Sequence, residues 1–323
     1  MKKNLFLLGL LVCSMATMAQ TQNADKPESW YFKLGGSYFN QTASTEFPEV
    51  GGQAPNRDVY SGTLTNNKLV SRESITGSFG QGFRSGITAG YRFSTRLGVE
   101  MSANYYISNS KTMAQTTDRL YSYNPTTTVA TYLSFEAEGQ IKAFDIAPAI
   151  VMFLGEAHGF EPYTKVGVIV PIHGTLDIKT DREFVSYVGN NVVSTSNVYS
   201  KDVVKPNPTI GFMAALGTSY KLGKHISAFA ELEYRNFTVH GKSKETTEYT
   251  VNGQDALSTR NTSQIYTNYH KTLDSNSNNV LFNPNTATAD TTDTTRPNEK
   301  MDELSSYVGI SGLGLTVGLK YSL

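Results

Sequence analysis

Gly312-Leu313-Gly314-Leu315-Thr316-Val317-Gly318-Leu319-Lys320-Tyr321-Ser322-Leu323 is the stretch whose reading decides the fold. Leu313, Leu315, Val317, Leu319, Tyr321 and Leu323 share one parity, and glycines, Thr316, Lys320 and Ser322 share the other. Neighbouring side chains leave a strand on opposite sides, so this unbroken alternation predicts a strand with one apolar face and one small or polar face. Seven segments upstream obey the same rule. Phe32, Leu34, Gly36 and Tyr38 alternate with Tyr31, Lys33, Gly35 and Ser37; Phe83, Ile87, Ala89, Tyr91 and Phe93 with Arg84, Gly86, Thr88, Gly90 and Arg92. Leu97, Val99, Met101, Ala103 and Tyr105 oppose Gly98, Glu100, Ser102 and Asn104. Phe144, Ile146, Ile150 and Met152 oppose Ala143, Asp145, Ala147 and Ala149, with Pro148 out of pattern. Val166, Val168, Val170 and Ile172 oppose Lys165, Gly167 and Ile169; Ile210, Phe212, Ala214, Leu216 and Tyr220 oppose Gly211, Ala215, Gly217 and Ser219. In the seventh, Ala228, Ala230, Leu232 and Tyr234 oppose Ser227, Glu231, Glu233 and Arg235. Eight strands of roughly ten residues result, the length a tilted strand needs to cross a bilayer.

The connections set the kind of all-β fold. Short turns at 94–96, 154–159 and 221–225 alternate with long loops at about 41–81, 107–138, 173–207 and 240–305. That asymmetry predicts an eight-stranded antiparallel transmembrane β-barrel with short periplasmic turns and long extracellular loops. Trp30, Tyr91, Phe93, Phe153, Phe160, Tyr220 and Tyr321 then gather at the periplasmic rim, and Tyr38, Phe83, Tyr105, Phe237 and Tyr307 at the outer one. Amphipathic rings favour both headgroup regions. Turn residues at Asn66-Asn67, Gly189-Asn190-Asn191 and Asn252-Gly253 predict hairpins within the loops. The last loop has 13 Thr and 9 Asn between Gly241 and Ser305 and few apolar anchors, so much of it is expected to be mobile.

Composition narrows the function classes. The 28 Lys+Arg balance 28 Asp+Glu in 323 residues, which offers no basic footprint for nucleic acid. Lys2 and Lys3 precede an apolar run from Leu5 to Val12 and a small-residue site at Ala19, the pattern of a signal peptide over 1–19, leaving 20–323 as the barrel domain. Cys13 lies within that leader, so no disulfide or cysteine metal site is expected in the mature chain.

Thr316-x-Gly318-x-x-Tyr321-x-Leu323 resembles the C-terminal signal by which the barrel-assembly machinery recognises outer-membrane barrels, with Leu323 where Phe is commonest. With the leader and the eight strands, nearly the whole mature chain resembles the small outer-membrane β-barrel family that includes OmpX-like, OmpW-like and opacity-type proteins, within the porin superfamily. The resemblance implies an integral protein of the Gram-negative outer membrane, with outer-membrane lipid and lipopolysaccharide around it and other outer-membrane proteins as candidate partners. It implies roles in adhesion, surface defence or passage of small solutes.

The polar parity carries the charges Lys33, Arg84, Arg92, Glu100, Asp145, Lys165, Glu231, Glu233, Arg235 and Lys320. An eight-stranded interior is just wide enough for side chains to fill, so these are expected to pair across the lumen as a plug; the alternative is a narrow path with Glu231, Glu233 and Arg235 as selectivity elements. Catalysis is not expected. His240, the best-placed histidine, precedes Gly241, Lys242 and Ser243, unlike the His-x-Ser spacing of outer-membrane lipid A deacylases. No residues show metal-ligand spacing, and no cofactor is expected. Asp290-Thr291-Thr292 and Asp293-Thr294-Thr295 resemble a short O-glycosylation signal of some Gram-negative groups. A soluble lipocalin-type barrel is the rival fold, and it would bury the apolar parity instead.

Overall fold

The computed structural model describes residues 29–62, 67–207, 209–282 and 296–323. The leader at 1–19, Asn66 and the two Asp-Thr-Thr triplets lie outside these described residues. The described chain is all-β. Its main sheet contains 17 strands, where the alternation pattern alone predicts eight, because the loops fold into strands that join it.

Eight strands correspond to the predicted segments: β1 (Ser29–Gln41), β2 (Gly82–Arg92), β3 (Leu97–Ser108), β4 (Val129–Phe153), β5 (Phe160–Val188), β6 (Gly211–Lys221), β7 (Ile226–Asn236) and β8 (Gly312–Ser322). Each pairs antiparallel with the next along the chain. β8 then pairs with β1 from Tyr31↔Ser322 to Gln41↔Gly312, which returns the circuit of hydrogen bonds to its start. The apolar parity faces outward, with Ile87 and Val166 each 62% exposed and Phe212 66%. The opposite parity is buried. This arrangement is the reverse of a lipocalin-type interior.

Tight turns close one end. Ser94 Oγ accepts from the backbone N–H of Leu97 at 2.9 Å, holding the β2–β3 turn. The β4–β5 turn needs positive φ at Gly159 (+82°), a backbone that glycine adopts without penalty.

At the other end β4 and β5 run on far beyond their neighbours, paired from Tyr163↔Phe153 to Val188↔Val129. Pro148 has no N–H to donate, and the β4–β5 ladder lapses there, between Ala149 and Ile146. A register shift between Pro171 and His173 then moves the buried parity from Ile169 onto Leu176 and Ile178. Strands Lys111–Asn124, Asn191–Asn207 and Thr238–Val251 flank the extension, and the hairpin of Asn56–Ser61 with Lys68–Ser74 adds its edge. Together they form an upper sheet continuous with the ring. The predicted loop hairpins are present here, at 56–74, 184–199 and 249–255.

The described parts of the last loop, 240–282 and 296–305, contain local order that composition does not foretell; residues 283–295 lie outside the described residues. Asn261 and Gln264 form a capping box on the short helix Thr262–Ile265. Asn278, 1% exposed, donates from Nδ2 to the carbonyls of Arg296 (3.0 Å) and Lys300 (3.1 Å), and its backbone N–H donates to Asp302 (2.8 Å). Buried amide bonds substitute here for the missing apolar anchors.

Candidate functional site: the buried charge network

All ten charges expected on the polar parity are buried, between 0% exposed at Glu233 and 7% at Lys320. Strand alternation aims them inward, and cross-strand register stacks them in three tiers. Next to the tight turns, Glu161 is shared by Arg92 (2.6 Å) and Lys320 (3.3 Å), and the Arg92 guanidinium lies 4.0 Å from the centre of the Phe153 ring. Arg92 also donates to the carbonyls of Ser94 (3.1 Å) and Thr95, tying this tier to the turn.

The middle tier interlocks two lysines and two glutamates. Lys33 reaches Glu100 (2.5 Å) and Glu231 (3.0 Å), and Lys165 reaches Glu231 (2.6 Å) and Glu100 (3.5 Å). Tyr31 donates its hydroxyl to Glu100 (3.1 Å), and Tyr163 donates to Glu231 (2.7 Å). In the upper tier Arg84 grips Glu233 with two parallel bonds of 2.6 and 2.5 Å, and Arg235 meets Asp145 (2.7 Å), which also accepts from Asn104 (2.8 Å). Bidentate geometry of this kind adds orientation to charge attraction.

Six cations therefore face five carboxylates. The fifth carboxylate, Glu161, lies upstream of the alternation that begins at Lys165, because the strand itself begins at Phe160. Glu161, Tyr163 and Lys165 share one parity, so extending the same rule four residues upstream finds both missing groups.

Between the middle and upper tiers remains a cavity of about 30 Å³, bordered by Lys165, Glu231, Ser102 and Asn104. That is space for one or two waters. Above the upper tier the filling turns apolar: Phe79, Tyr106, Met113, Phe135, Leu176 and Ile310 pack together, and Tyr106 donates to the Phe79 carbonyl at 2.7 Å. Two rings expected at the rims belong to the interior instead. Phe153 and Phe237 are buried (2% and 6%) because the guanidinium groups of Arg92 and Arg235 pack over them. Trp30, Phe160, Tyr220 and Tyr321 at one end, and Tyr38, Phe83, Tyr105 and Tyr307 at the other, are exposed.

In the C-terminal motif, Thr316 is buried and shares a 2.7 Å hydrogen bond with Ser37, while Tyr321 and Leu323 are exposed. His240 Nδ1 lies 3.2 Å from Ser305 Oγ, not Ser243. Among the described residues, no group of three or more His, Cys, Asp or Glu side chains is placed to hold a metal ion.

The chain is similar to known proteins. The outer membrane protein OprG from Pseudomonas aeruginosa aligns over 92% of this chain and 97% of its own, at 10% identity and a TM-score of 0.40. Neisserial surface protein A (NspA) aligns over 93% and 99%, at 9% identity and a TM-score of 0.31. No curated protein matches the sequence. The family described as "Outer membrane protein beta-barrel domain" matches residues 5–270, most of the chain, and the protein belongs to that family of outer-membrane barrels.

Proposed function

We propose that the eight-strand circuit is a transmembrane barrel whose lumen is closed by its own ion pairs, and that the protein acts at the cell surface through its upper sheet, without catalysis. The observation that carries this reading is the inverted burial pattern: an apolar outer wall around a charge network with a residual cavity of about 30 Å³. A wall that exposes Leu315, Val317 and Leu319 suits acyl chains, and the outward rings at its two ends suit headgroups and lipopolysaccharide.

In this reading residues 1–19 are a cleaved signal peptide, the tight turns face the periplasm and the upper sheet is extracellular. The Thr316, Gly318, Tyr321 and Leu323 motif serves recognition by the barrel-assembly machinery. Planar-bilayer recording tests the closed lumen. Silence at physiological salt is expected, whereas stable ion-selective openings altered by Glu231→Gln or Arg235→Gln would establish the narrow channel in its place. Surface proteolysis of intact cells tests orientation, with cleavage expected only within the upper sheet and its loops. The upper sheet's length also favours contact with other outer-membrane proteins, which co-purification in mild detergent would identify.

A further inference from the structure

At its tip the upper sheet changes character. Lys, Arg, Asp, Glu and His are absent from Leu120 to Phe135 and from Phe184 to Ser200, the segments around the ends of β4 and β5 at Val129 and Val188. Charges return immediately below, at Arg119, Glu136, Glu183 and Lys201. Strand pairing decides which of the uncharged side chains share a face. Tyr123, Ala130, Tyr187 and Val192 are paired one to the next across four strands, and Leu120, Tyr132, Val185 and Thr195 form the adjoining row. Both rows lie on the face opposite to Leu133 and Phe135, which are buried in the apolar filling.

Three tyrosines therefore stand together on one outward face. The Tyr132 and Tyr187 rings meet at 5.7 Å with their planes at 83°, and Tyr123 is exposed in the row of Tyr187. Ala130, between Tyr123 and Tyr187, is fully covered, so its larger neighbours close over it. Val192, 56% exposed, continues the apolar surface at one edge. Among the described residues none of the three phenol hydroxyls has a hydrogen-bond partner.

Tyrosine combines rigid contact area with a polar handle, and charged side chains are depleted from the centres of binding surfaces. The size of the patch decides what it takes. Four strands about 4.8 Å apart and two rows about 7 Å apart give a platform of roughly 300 Å², well short of the about 800 Å² that each partner brings to a stable protein interface. The sheet ends on one side of it and Glu183 borders the other, so the neutral surface cannot widen. We propose that this face binds a short neutral oligosaccharide. A sugar ring has an apolar C–H face and hydroxyls around its edge, which match tyrosine rings below and free phenols and Thr195 alongside. The right angle between Tyr132 and Tyr187 supplies a floor and a wall, which together orient one sugar unit.

This ligand class deepens the surface-interaction reading and rests on it for access to glycans outside the cell. Its test does not, because binding is measured on the purified full chain, in a detergent without a sugar headgroup. Isothermal titration would use maltotriose, cellotriose and chitotriose as neutral probes and trigalacturonate as an anionic one. Saturable binding of at least one neutral probe is expected, changed less than about twofold by roughly 0.5 M salt, since no charge is screened. Tyr132→Ser/Tyr187→Ser is expected to lose binding about tenfold or more, the cost of truncating central aromatic contacts. Tyr132→Phe/Tyr187→Phe keeps the rings and should bind between the parent and the serine variant. Tyr121→Ser leaves binding unchanged, because Tyr121 packs on Phe184, on the opposite face. Heat-modifiable gel mobility shows that each variant barrel is folded. No saturation with any neutral probe, a preference for trigalacturonate, a serine variant that binds like the parent, or an equal loss in Tyr121→Ser would overturn the proposal. So would a co-purifying protein released by the serine variant when no sugar binds, which would make the face a protein contact. A conducting barrel that binds a neutral probe would refute only the closed lumen, and a silent barrel that binds none would refute only the sugar site.

Discussion

Replacing Glu233 with leucine is the sharpest probe of the closed interior. Glu233 is fully buried and accepts two bonds from Arg84, itself 6% exposed, so the substitution strands a guanidinium whose other side-chain acceptor is Ser37 at 3.4 Å. Breaking a buried pair by removing one partner costs about 3–5 kcal/mol, because the remaining charge loses water without compensation. An ion pair in a water-filled path is screened and is worth about 0.2–1 kcal/mol. The two descriptions of the lumen therefore differ several-fold in a measurable quantity. Urea unfolding of the barrel in lipid vesicles, followed by tryptophan fluorescence of Trp30 and by heat-modifiable gel mobility, reads it directly. With a slope of about 2–3 kcal/mol/M, the expected loss moves the midpoint down by roughly 1–2 M. Arg84→Met combined with Glu233→Leu should recover most of that loss, since apolar replacement of a whole buried pair is close to neutral. A Glu233→Leu cost below about 1 kcal/mol, or a double variant whose cost is the sum of its parts, would refute the dry, paired interior.

Val317→Arg, in the middle of the outward face of β8, should cost about 2–4 kcal/mol in the same assay, whereas Tyr321→Arg near the turn end should cost about 0–1 kcal/mol; equal effects would contradict a membrane wall. A Cβ at Gly217 would lie 2.6 Å from the Tyr163 ring, so Gly217→Ala should displace Tyr163 from Glu231 and cost about 1–3 kcal/mol, read as a lowered urea midpoint. In the last loop, burial and the neighbouring acidic groups outweigh the Lys244 ammonium and push the Tyr269 phenol up from its usual 10 to about 12. The protonated phenol is then favoured in the folded state, so its contribution is intact below pH 10 and is lost between about 10 and 12. Proteolysis of that loop should rise over this interval in the parent and not in Tyr269→Phe. Asn278→Ala removes the amide that joins residue 278 to the carbonyls of Arg296 and Lys300, and should open the same loop to protease at neutral pH, leaving the barrel's unfolding midpoint unchanged.

Much of the ring is legible in the sequence because a period of two needs only local information. Lys33, Glu100, Lys165 and Glu231 are each recognisable from their own strands, and a narrow interior leaves them few places to go but against one another. Which carboxylate meets which cation is not legible, since it depends on register between strands far apart in the chain: Arg84 and Glu233 are 149 residues apart. The apolar filling above the charges is also hidden. Phe47, Phe79 and Met113 come from segments with no sustained alternation, and the register shift near His173 reverses parity partway along β5. The order in the described parts of the last loop is hidden for a related reason, because Asn261 and Asn278 hold the backbone through single hydrogen bonds that leave no periodic trace. The opposition of Glu136 and Asp181 becomes visible only when pairing sets the two side by side.

The ladder joining β4 and β5 runs from the tight turn to its tip at Val129 and Val188, through the gap at Pro148 and the shift at His173, so the upper sheet is mechanically part of the barrel. The 16 residues from His173 to Val188 span about 50 Å at 3.3 Å per residue. A load pulling on the tip along that axis acts in shear on many hydrogen bonds at once. A flexible loop would pass the same load to its two attachment points in turn and let its tip swing. The tip is therefore kept at a fixed height and orientation, and drag on it reaches the barrel wall as a distributed force.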